Sequence, residues 1–169
     1  MNAAVPLQAP TVWLAPMAVG HLDAVVALEL RAYPFPWSRG NFIDSLAAGY
    51  LAEVLLDEPQ RQVVGYYVAM HGVEETHLLN ITIAPEHWGG GLGRCLLDRV
   101  AARARAFKAH ALWLEVRESN ARARAVYERY GFCPLGRRPG YYPAPEGRRE
   151  DAIVMSLRLA AGGGSDELV

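Results

Sequence analysis

Cysteine is scarce in this chain: two residues, Cys95 and Cys133, occur among 169. They show no C-x-x-C or zinc-type spacing and are too few for the disulfide framework of a small secreted protein. The five histidines likewise form no His-x-x-x-His pair of the kind that binds zinc on a helix. We therefore expect a protein of the reducing cytoplasm that needs no metal.

Long hydrophobic runs and an excess of charge of one sign are also missing. No segment approaches the ~18 consecutive apolar residues of a membrane span, and the N-terminus lacks the basic and apolar regions of a signal peptide. The formal net charge is -1, from 17 basic and 18 acidic side chains, so no overall charge argues for nucleic-acid binding. We expect no membrane partner and no direct nucleic-acid partner.

The hydrophobic residues, 51% of the chain, change their spacing several times without a long linker or an internal repeat. We predict one domain over 11–160 between flexible tails over 1–10 and 161–169. The mixture of periods indicates a mixed α/β layer domain. Its predicted elements are a strand (11–15), two helices (18–32 and 38–48), three strands in a meander (50–56, 62–70 and 76–84), a helix (92–107), a strand (110–117), a helix (120–130) and two strands (near 132 and over 152–159).

Glycine is concentrated in the stretch "HWGGGLGRCLLDRV", directly before a helical pattern. No Lys-Ser or Lys-Thr follows, as a Walker loop requires, and Leu96 stands where a dinucleotide fingerprint needs a small residue. Because glycine permits positive φ and close approach of a ligand, successive N–H groups can converge beside the positive end of the helix dipole. The stretch suits a pyrophosphate, with a flexible strand-to-helix turn as the alternative. Its glycines are Gly89, Gly90, Gly91 and Gly93.

A second stretch, "LWLEVRESNARARAVYERYGF", carries a carboxylate and a phenol. Strand alternation places Glu115 opposite the aliphatic face of Leu112, Leu114 and Val116. Asn120 is a good helix N-cap, and Tyr127 shares its helical face. The two reactive groups can therefore face one cleft. The alternatives are a solvated Glu115 and a Tyr127 that belongs to the core.

Three motifs hold their order and spacing together: "NITIAPEHWGGGLGRCLLDRV", "LWLEVRESNARARAVYERYGF" and "GYYPAPEGRREDAIVMSL", with "YPFPWS" upstream. Together they resemble the GNAT superfamily of acetyl-CoA-dependent N-acetyltransferases, and within it the RimI group. The resemblance covers residues 14–159. It implies an α/β (α+β) single-domain fold: a mixed, mostly antiparallel sheet of six or seven strands, flanked by about four helices, with two strands splayed to hold the cofactor.

The resemblance also implies roles for individual residues. Glu115 matches the family's general base and Tyr127 its general acid, while a backbone N–H near Ile81 would stabilise the oxyanion. Trp37 and Tyr142 would line the peptide groove, unless they are packing corners. The implied acetyl-CoA contacts are Ile81, Thr82 and Ile83 on the strand, Gly89, Gly90, Gly91, Leu92, Gly93 and Arg94 in the loop, and Asn120.

The loop departs from the family pattern at its first position, where Trp88 replaces the usual Gln or Arg. We expect weaker side-chain help to the phosphates, with Arg94 compensating. Arg122 and Arg124 on the following helix are either a solvated face or further phosphate contacts.

The RimI-type resemblance implies transfer of acetyl to the N-terminal alanine of small-subunit ribosomal protein eighteen. An α-amine, with a pKa of about 7.7 to 8, is deprotonated far more readily than lysine at about 10.4, so a modest base suffices. The alternatives are an acetyltransferase for lysine or a small-molecule amine, since fold alone does not choose the acceptor, and a catalytically silent acyl-CoA-binding module.

Overall fold

A seven-stranded sheet organises the residues that this computed structural model describes, 11–58 and 60–160. The spatial order is β1-β2-β3-β4-β5-β7-β6, and every neighbouring pair is antiparallel except β4 and β5. The expected mixed, mostly antiparallel sheet is confirmed, whereas the predicted tails lie outside the described residues. The strands are β1 (Val12–Pro16), β2 (Leu51–Asp57), β3 (Val63–His71), β4 (Glu75–Ile83), β5 (Ala111–Arg117), β6 (Cys133–Pro143) and β7 (Arg149–Arg158).

The described chain forms four α-helices, two on each face of the sheet: α1 (Leu22–Ala32), α2 (Arg39–Ala47), α3 (Leu92–Ala106) and α4 (Ala121–Tyr130). Their starts follow local chemistry. Ser38 Oγ accepts from the Asn41 N–H at 3.2 Å, and Asn120 Oδ1 accepts from the Ala123 N–H at 3.1 Å, as N-caps do. None of the described helices is both long and apolar enough to cross a membrane.

The sheet separates two cores. On one face α3 and α4 cover residues of β5 that include Leu112, Leu114 and Val116. On the other face α1 and α2 pack on β2 and β3 around Phe42 and Tyr66. The strand-face prediction for β5 is confirmed, because its burial alternates residue by residue.

The C-terminal hairpin is longer than the sequence predicts. Strand β6 runs to Pro143, and β7 already begins at Arg149. Most side chains of β6 are exposed, because β6 is an edge strand, where proline is tolerated and alternating hydrophobicity is not required. Its sequence therefore carries little of the signal by which strands are recognised.

Strands β4 and β5 pair only over their first halves. Their parallel ladder ends where Leu78 meets Leu114, and at the same level the register of β4 with β3 shifts between Leu78 and Asn80. Such a bulge bends its strand and places one extra residue, Leu79, between the paired positions. The second halves of β4 and β5 consequently diverge, as the expected fold requires.

A partly buried ion pair fixes α3 against the sheet. Glu53 of β2 is 6% exposed, and its carboxylate accepts two bonds from Arg99 at 2.9 Å and one from the Tyr67 hydroxyl. Although burial opposes ionisation, these hydrogen bonds lower the pKa of Glu53 below its ordinary value. The paired carboxylate stabilises the fold above its unfolded-state pKa, and that stabilisation is lost as the pH falls through the lowered value.

We therefore expect Arg99→Met to lower the free energy of unfolding at neutral pH by about 1 to 3 kcal/mol, because a buried carboxylate loses its charged donor. The deficit should shrink below about pH 4, where Glu53 protonates on unfolding. Urea denaturation at several pH values measures it. Arg105→Met, an exposed arginine of the same helix, is the control, and equal stability of the two variants at pH 7 would contradict the prediction.

Candidate active site

The divergence of β4 and β5 leaves an opening in the sheet, and the backbone of β4 faces it at alternate residues. The Ala84 N–H donates to the Val64 carbonyl of β3 at 2.8 Å, and the Thr82 carbonyl lies beside Gly65 of the same strand. Since peptide groups alternate along a strand, those of Ile81 and Ile83 point away from β3, into the opening. These two residues lie where an extended ligand could add as a strand.

Side chains already donate hydrogen bonds to the carbonyl oxygens of Ile81 and Ile83. The Tyr33 hydroxyl donates to the Ile81 oxygen at 2.8 Å, and the Trp88 indole N–H donates to the Ile83 oxygen at 2.8 Å. Thr82, the third strand residue of the predicted site, instead pairs with β3 and is 4% exposed. Each of these carbonyl oxygens thus already accepts one hydrogen bond and keeps a second lone pair, while the N–H groups of Ile81 and Ile83 are not taken by β5.

The glycine loop is an open cradle at the start of α3. Gly89 and Gly91 adopt positive φ, 80° and 83°, which glycine alone accepts without strain. A side chain built at Gly89, Gly91 or Gly93 would meet nothing within 4 Å. The first N–H groups of a helix have no partner within it, and α3 begins without a side-chain cap. The cradle therefore fits the anionic oxygens of a pyrophosphate, as the expected acetyl-CoA would supply.

The ring of Trp88, at the first position of this loop, is in contact with an arginine of α4. The Arg122 guanidinium of α4 lies 3.4 Å from the centroid of the Trp88 ring, which is cation–π geometry. Arg124 donates to the Glu118 carbonyl instead, and Arg94 is exposed on α3. Of these arginines, Arg122 is thus the one that the Trp88 ring holds at the loop, and compensation by Arg94 stays a prediction.

Glu115 lies on the sheet face opposite α3, and its side chain is 6% exposed. Its Oε2 is 2.5 Å from His77 Nε2. Its Oε1 lies 3.3 Å from Arg138 Nη2, near enough for an ion pair, but has no hydrogen-bond partner within the described residues. The other buried side-chain atom there without a partner is Trp113 Nε1, on the same strand face. Because buried polar atoms are normally satisfied, this face is suited to a polar ligand.

Tyr127 approaches the opening from the other side of the sheet. Its ring packs on Phe132, with centroids 5.7 Å apart. Burial, together with the neighbouring phenols of Tyr33 and Tyr142, raises the pKa of Tyr127 well above its ordinary value. Burial and the nearby Glu115 carboxylate likewise raise the pKa of Tyr142. Tyr142 is therefore a neighbour both of the Glu115 carboxylate and of the Tyr127 phenol, the two groups that the sequence predicts to be reactive.

Trp37 lines a surface groove beside the bulge of β4. The groove runs between α2 and Leu79, and the Trp37 ring packs on Phe42 at 5.3 Å. The backbone N–H of Trp37 donates to Glu29 Oε1 at 3.0 Å, which holds the loop before α2 against α1. Asn120 uses its side-chain oxygen as the cap of α4. Both residues thus have a structural role in addition to the one the sequence suggests.

The sequence analysis does not predict four residues of the site. Glu29 is 2% exposed and accepts from Tyr66, Asn80 and Trp37; its place on the apolar stripe of α1, seven residues after Leu22, is a signal that could have found it. The other three reach the site through partners more than 20 positions away, and no local pattern marks them: Tyr33, His77 and Arg138.

Comparison with known proteins agrees with this geometry. The sequence profile of the acetyltransferase (GNAT) family matches residues 22–132. A ribosomal protein bS18-alanine N-acetyltransferase of Haemophilus influenzae is 37% identical over 137 residues, 81% of this chain and 92% of that protein. One from Escherichia coli is 37% identical over 139 residues, 82% and 92% of the two chains. The crystal structure of ribosomal-protein-S18-alanine N-acetyltransferase from Escherichia coli matches with a TM-score of 0.80 and 33% identity, covering 94% of this chain and 99% of that one.

The open cradle makes a prediction about ligand binding. Gly93→Val should weaken the binding of acetyl-CoA by about tenfold or more, because the methyl groups of the valine occupy the space that the phosphates need. A tenfold loss of affinity corresponds to about 1.4 kcal/mol of binding free energy. Gly93 has no positive φ and ample room, so the fold should survive. Calorimetry measures the affinity, with Gly136→Val, an equally unobstructed glycine of β6, as control. Unchanged affinity in a folded Gly93→Val protein would remove the loop from the site.

Proposed function

The chain belongs to the acetyltransferase (GNAT) family, and we propose that it transfers the acetyl group of acetyl-CoA to the N-terminal alanine of ribosomal protein bS18, in the cytoplasm. It is an N-acetyltransferase, and relatives with the bS18-alanine activity match it over most of their length. The observation that carries the proposal is that a buried carboxylate, Glu115, and a partly buried phenol, Tyr127, have Tyr142 as a common neighbour where β4 and β5 stop pairing. One oxygen of that carboxylate has no hydrogen-bond partner within the described residues.

The proposed base is Glu115. An attacking amine must lose a proton, and an α-amine with a pKa of about 7.7 to 8 is partly neutral near pH 7. Oε1 of Glu115, which has no hydrogen-bond partner within the described residues, accepts that proton, directly or through one water. Tyr142 lies beside this carboxylate. We propose that Tyr142 and Trp37 contact the first residues of the acceptor.

The proposed acid is Tyr127. Because its pKa is raised by burial, the phenol keeps its proton throughout the neutral range and can give it to the departing thiolate. Acetyl-CoA supplies the acetyl group as a thioester. The N–H of Ile81 faces the opening, where it can donate to the thioester oxygen as negative charge develops there.

The proposed cofactor contacts are largely backbone groups. The N–H groups from Gly89 to Arg94 receive the pyrophosphate at the start of α3, and Ile81 and Ile83 pair with the extended arm. We further propose a cofactor contact by Asn120, which caps the start of α4. Independence from added metal ions stays a prediction, which activity after treatment with EDTA tests.

The acceptor decides between this proposal and its alternatives. We expect a peptide with the alanine-initiated N-terminus of bS18 to gain one acetyl group, on its α-amine, and much faster than the same peptide blocked at its N-terminus but carrying internal lysines. Tandem mass spectrometry locates the group. Modification of lysine side chains, or preference for polyamines, would transfer the proposal to the lysine or small-amine alternative. Binding of acetyl-CoA without release of thiol, whatever amine is offered, would favour the silent module.

The acid and base roles make a second prediction. Tyr127→Phe and Glu115→Gln should each lower kcat by about 100- to 10,000-fold while acetyl-CoA affinity stays near that of the wild type. The Glu115→Gln defect should be greatest at low pH, where the amine is protonated. Initial rates from pH 6 to 9 measure both.

The chain offers matched controls for these two variants. Tyr130→Phe removes a hydroxyl of the same helix that donates to Asp98, and Glu118→Gln alters an exposed carboxylate paired with Arg137. Both should turn over at the wild-type rate. Wild-type rates in Tyr127→Phe and Glu115→Gln would show that the assignment of acid and base is wrong.

A further inference from the structure

Strand β4 carries a histidine whose ring reaches the carboxylate that we propose as the base. In the parallel ladder His77 stands opposite Trp113, two residues before Glu115 on the same face of β5. The imidazole lies flat on the indole, with ring centroids 3.7 Å apart and planes within 10° of parallel. This stack fixes the plane of the imidazole, and His77 Nε2 reaches Glu115 Oε2 at 2.5 Å.

We propose that His77 is a positioning residue for the acetyl transfer: its Nε2–H donates to Glu115 Oε2 and so turns the other oxygen, Oε1, toward the acceptor amine. The inference rests on the proposed role of Glu115 as the base. His77 holds one carboxylate oxygen and leaves the other without a hydrogen-bond partner within the described residues. A base held in this way meets the incoming amine in one orientation, and small misplacements of reacting groups are costly.

The other charged and titratable groups around the pair do not replace this contact. Arg138 of β6 is 47% exposed and lies 3.3 Å from Oε1 outside hydrogen-bond geometry, so it contributes charge rather than orientation. Tyr142 of β6 is near Glu115, but its ring lies against the Arg117 guanidinium, and Arg117 itself is held by Glu150 of β7 at 3.0 Å. Within the described chain, His77 is the group that hydrogen-bonds the Glu115 carboxylate.

Two substitutions separate the hydrogen bond from the stack. His77→Phe keeps an aromatic ring on Trp113 and loses the donor, whereas His77→Gln supplies an amide N–H near the position of Nε2. We expect His77→Phe to lower kcat by about 10- to 100-fold with little change in the KM for acetyl-CoA, and His77→Gln to recover most of the loss. In a Glu115→Gln background, His77→Phe should cost nothing further, because residues that act as one unit are not additive.

His71 provides a matched control on the neighbouring strand. Its ring stacks on Phe107 after α3 and contacts Thr76, on the far side of the sheet from Glu115, so His71→Phe should turn over at the wild-type rate. Thermal unfolding verifies that each variant is folded, and His77→Leu, which also lacks a donor, takes the place of His77→Phe if that variant is not.

Two results would overturn the inference: a wild-type kcat in the folded donor-less variant, or equal losses in it and in His77→Gln. Neither result bears on the identity of the proposed acceptor. That identity is tested separately, by locating the acetyl group that the wild-type enzyme transfers. If that group appears on lysine, the same variants are assayed with a lysine peptide, and the role of His77 is still decided.

Discussion

The site depends on the point at which β4 stops pairing with β5. Beyond Leu78 and Leu114 the two strands have no common ladder, because a bulge at that level turns β4. The buried Glu29 carboxylate holds that turn by accepting from Asn80 just after the bulge, from Tyr66 of β3 and from the backbone of Trp37. Glu29 thus connects helix α1 with strand β4 after its bulge and with the rim of the groove. These hydrogen bonds are needed because burying the carboxylate without partners would cost free energy of folding.

The opening joins groups that the sheet otherwise keeps apart. Glu115 belongs to the face of α1 and α2, while Tyr127 comes from α4 on the opposite face, and Tyr142 is near both. A carboxylate and a phenol on opposite sides of a continuous sheet could not share a substrate. Because the strands part, an acyl donor lying between them can meet a proton acceptor on one side and a proton donor on the other, which is the arrangement that amine acetylation needs.

Local patterns predict much of this arrangement, and long-range contacts limit the rest. The faces of β5, the caps Ser38 and Asn120 and the glycine loop follow from periodicity and turn chemistry, and each lies where the sequence indicates. The donation of Trp88 to Ile83 and the contact of His77 with Glu115 depend on how elements pack, which no single stretch of sequence encodes. Glu29 lies between these cases, since its position on an apolar stripe marks it but not its partners.

The central claim is that the parted half of β4 receives the extended arm of acetyl-CoA as an additional strand. Amide hydrogen exchange at Ile81 and Ile83, measured by NMR with and without coenzyme A, tests it directly, because both N–H groups face the opening and β5 does not pair with them. The account predicts fast exchange in the free protein and strong protection in the complex, with the Thr82 N–H, which faces β3, little changed. Exchange at Ile81 and Ile83 that stays the same in a saturated complex would contradict it.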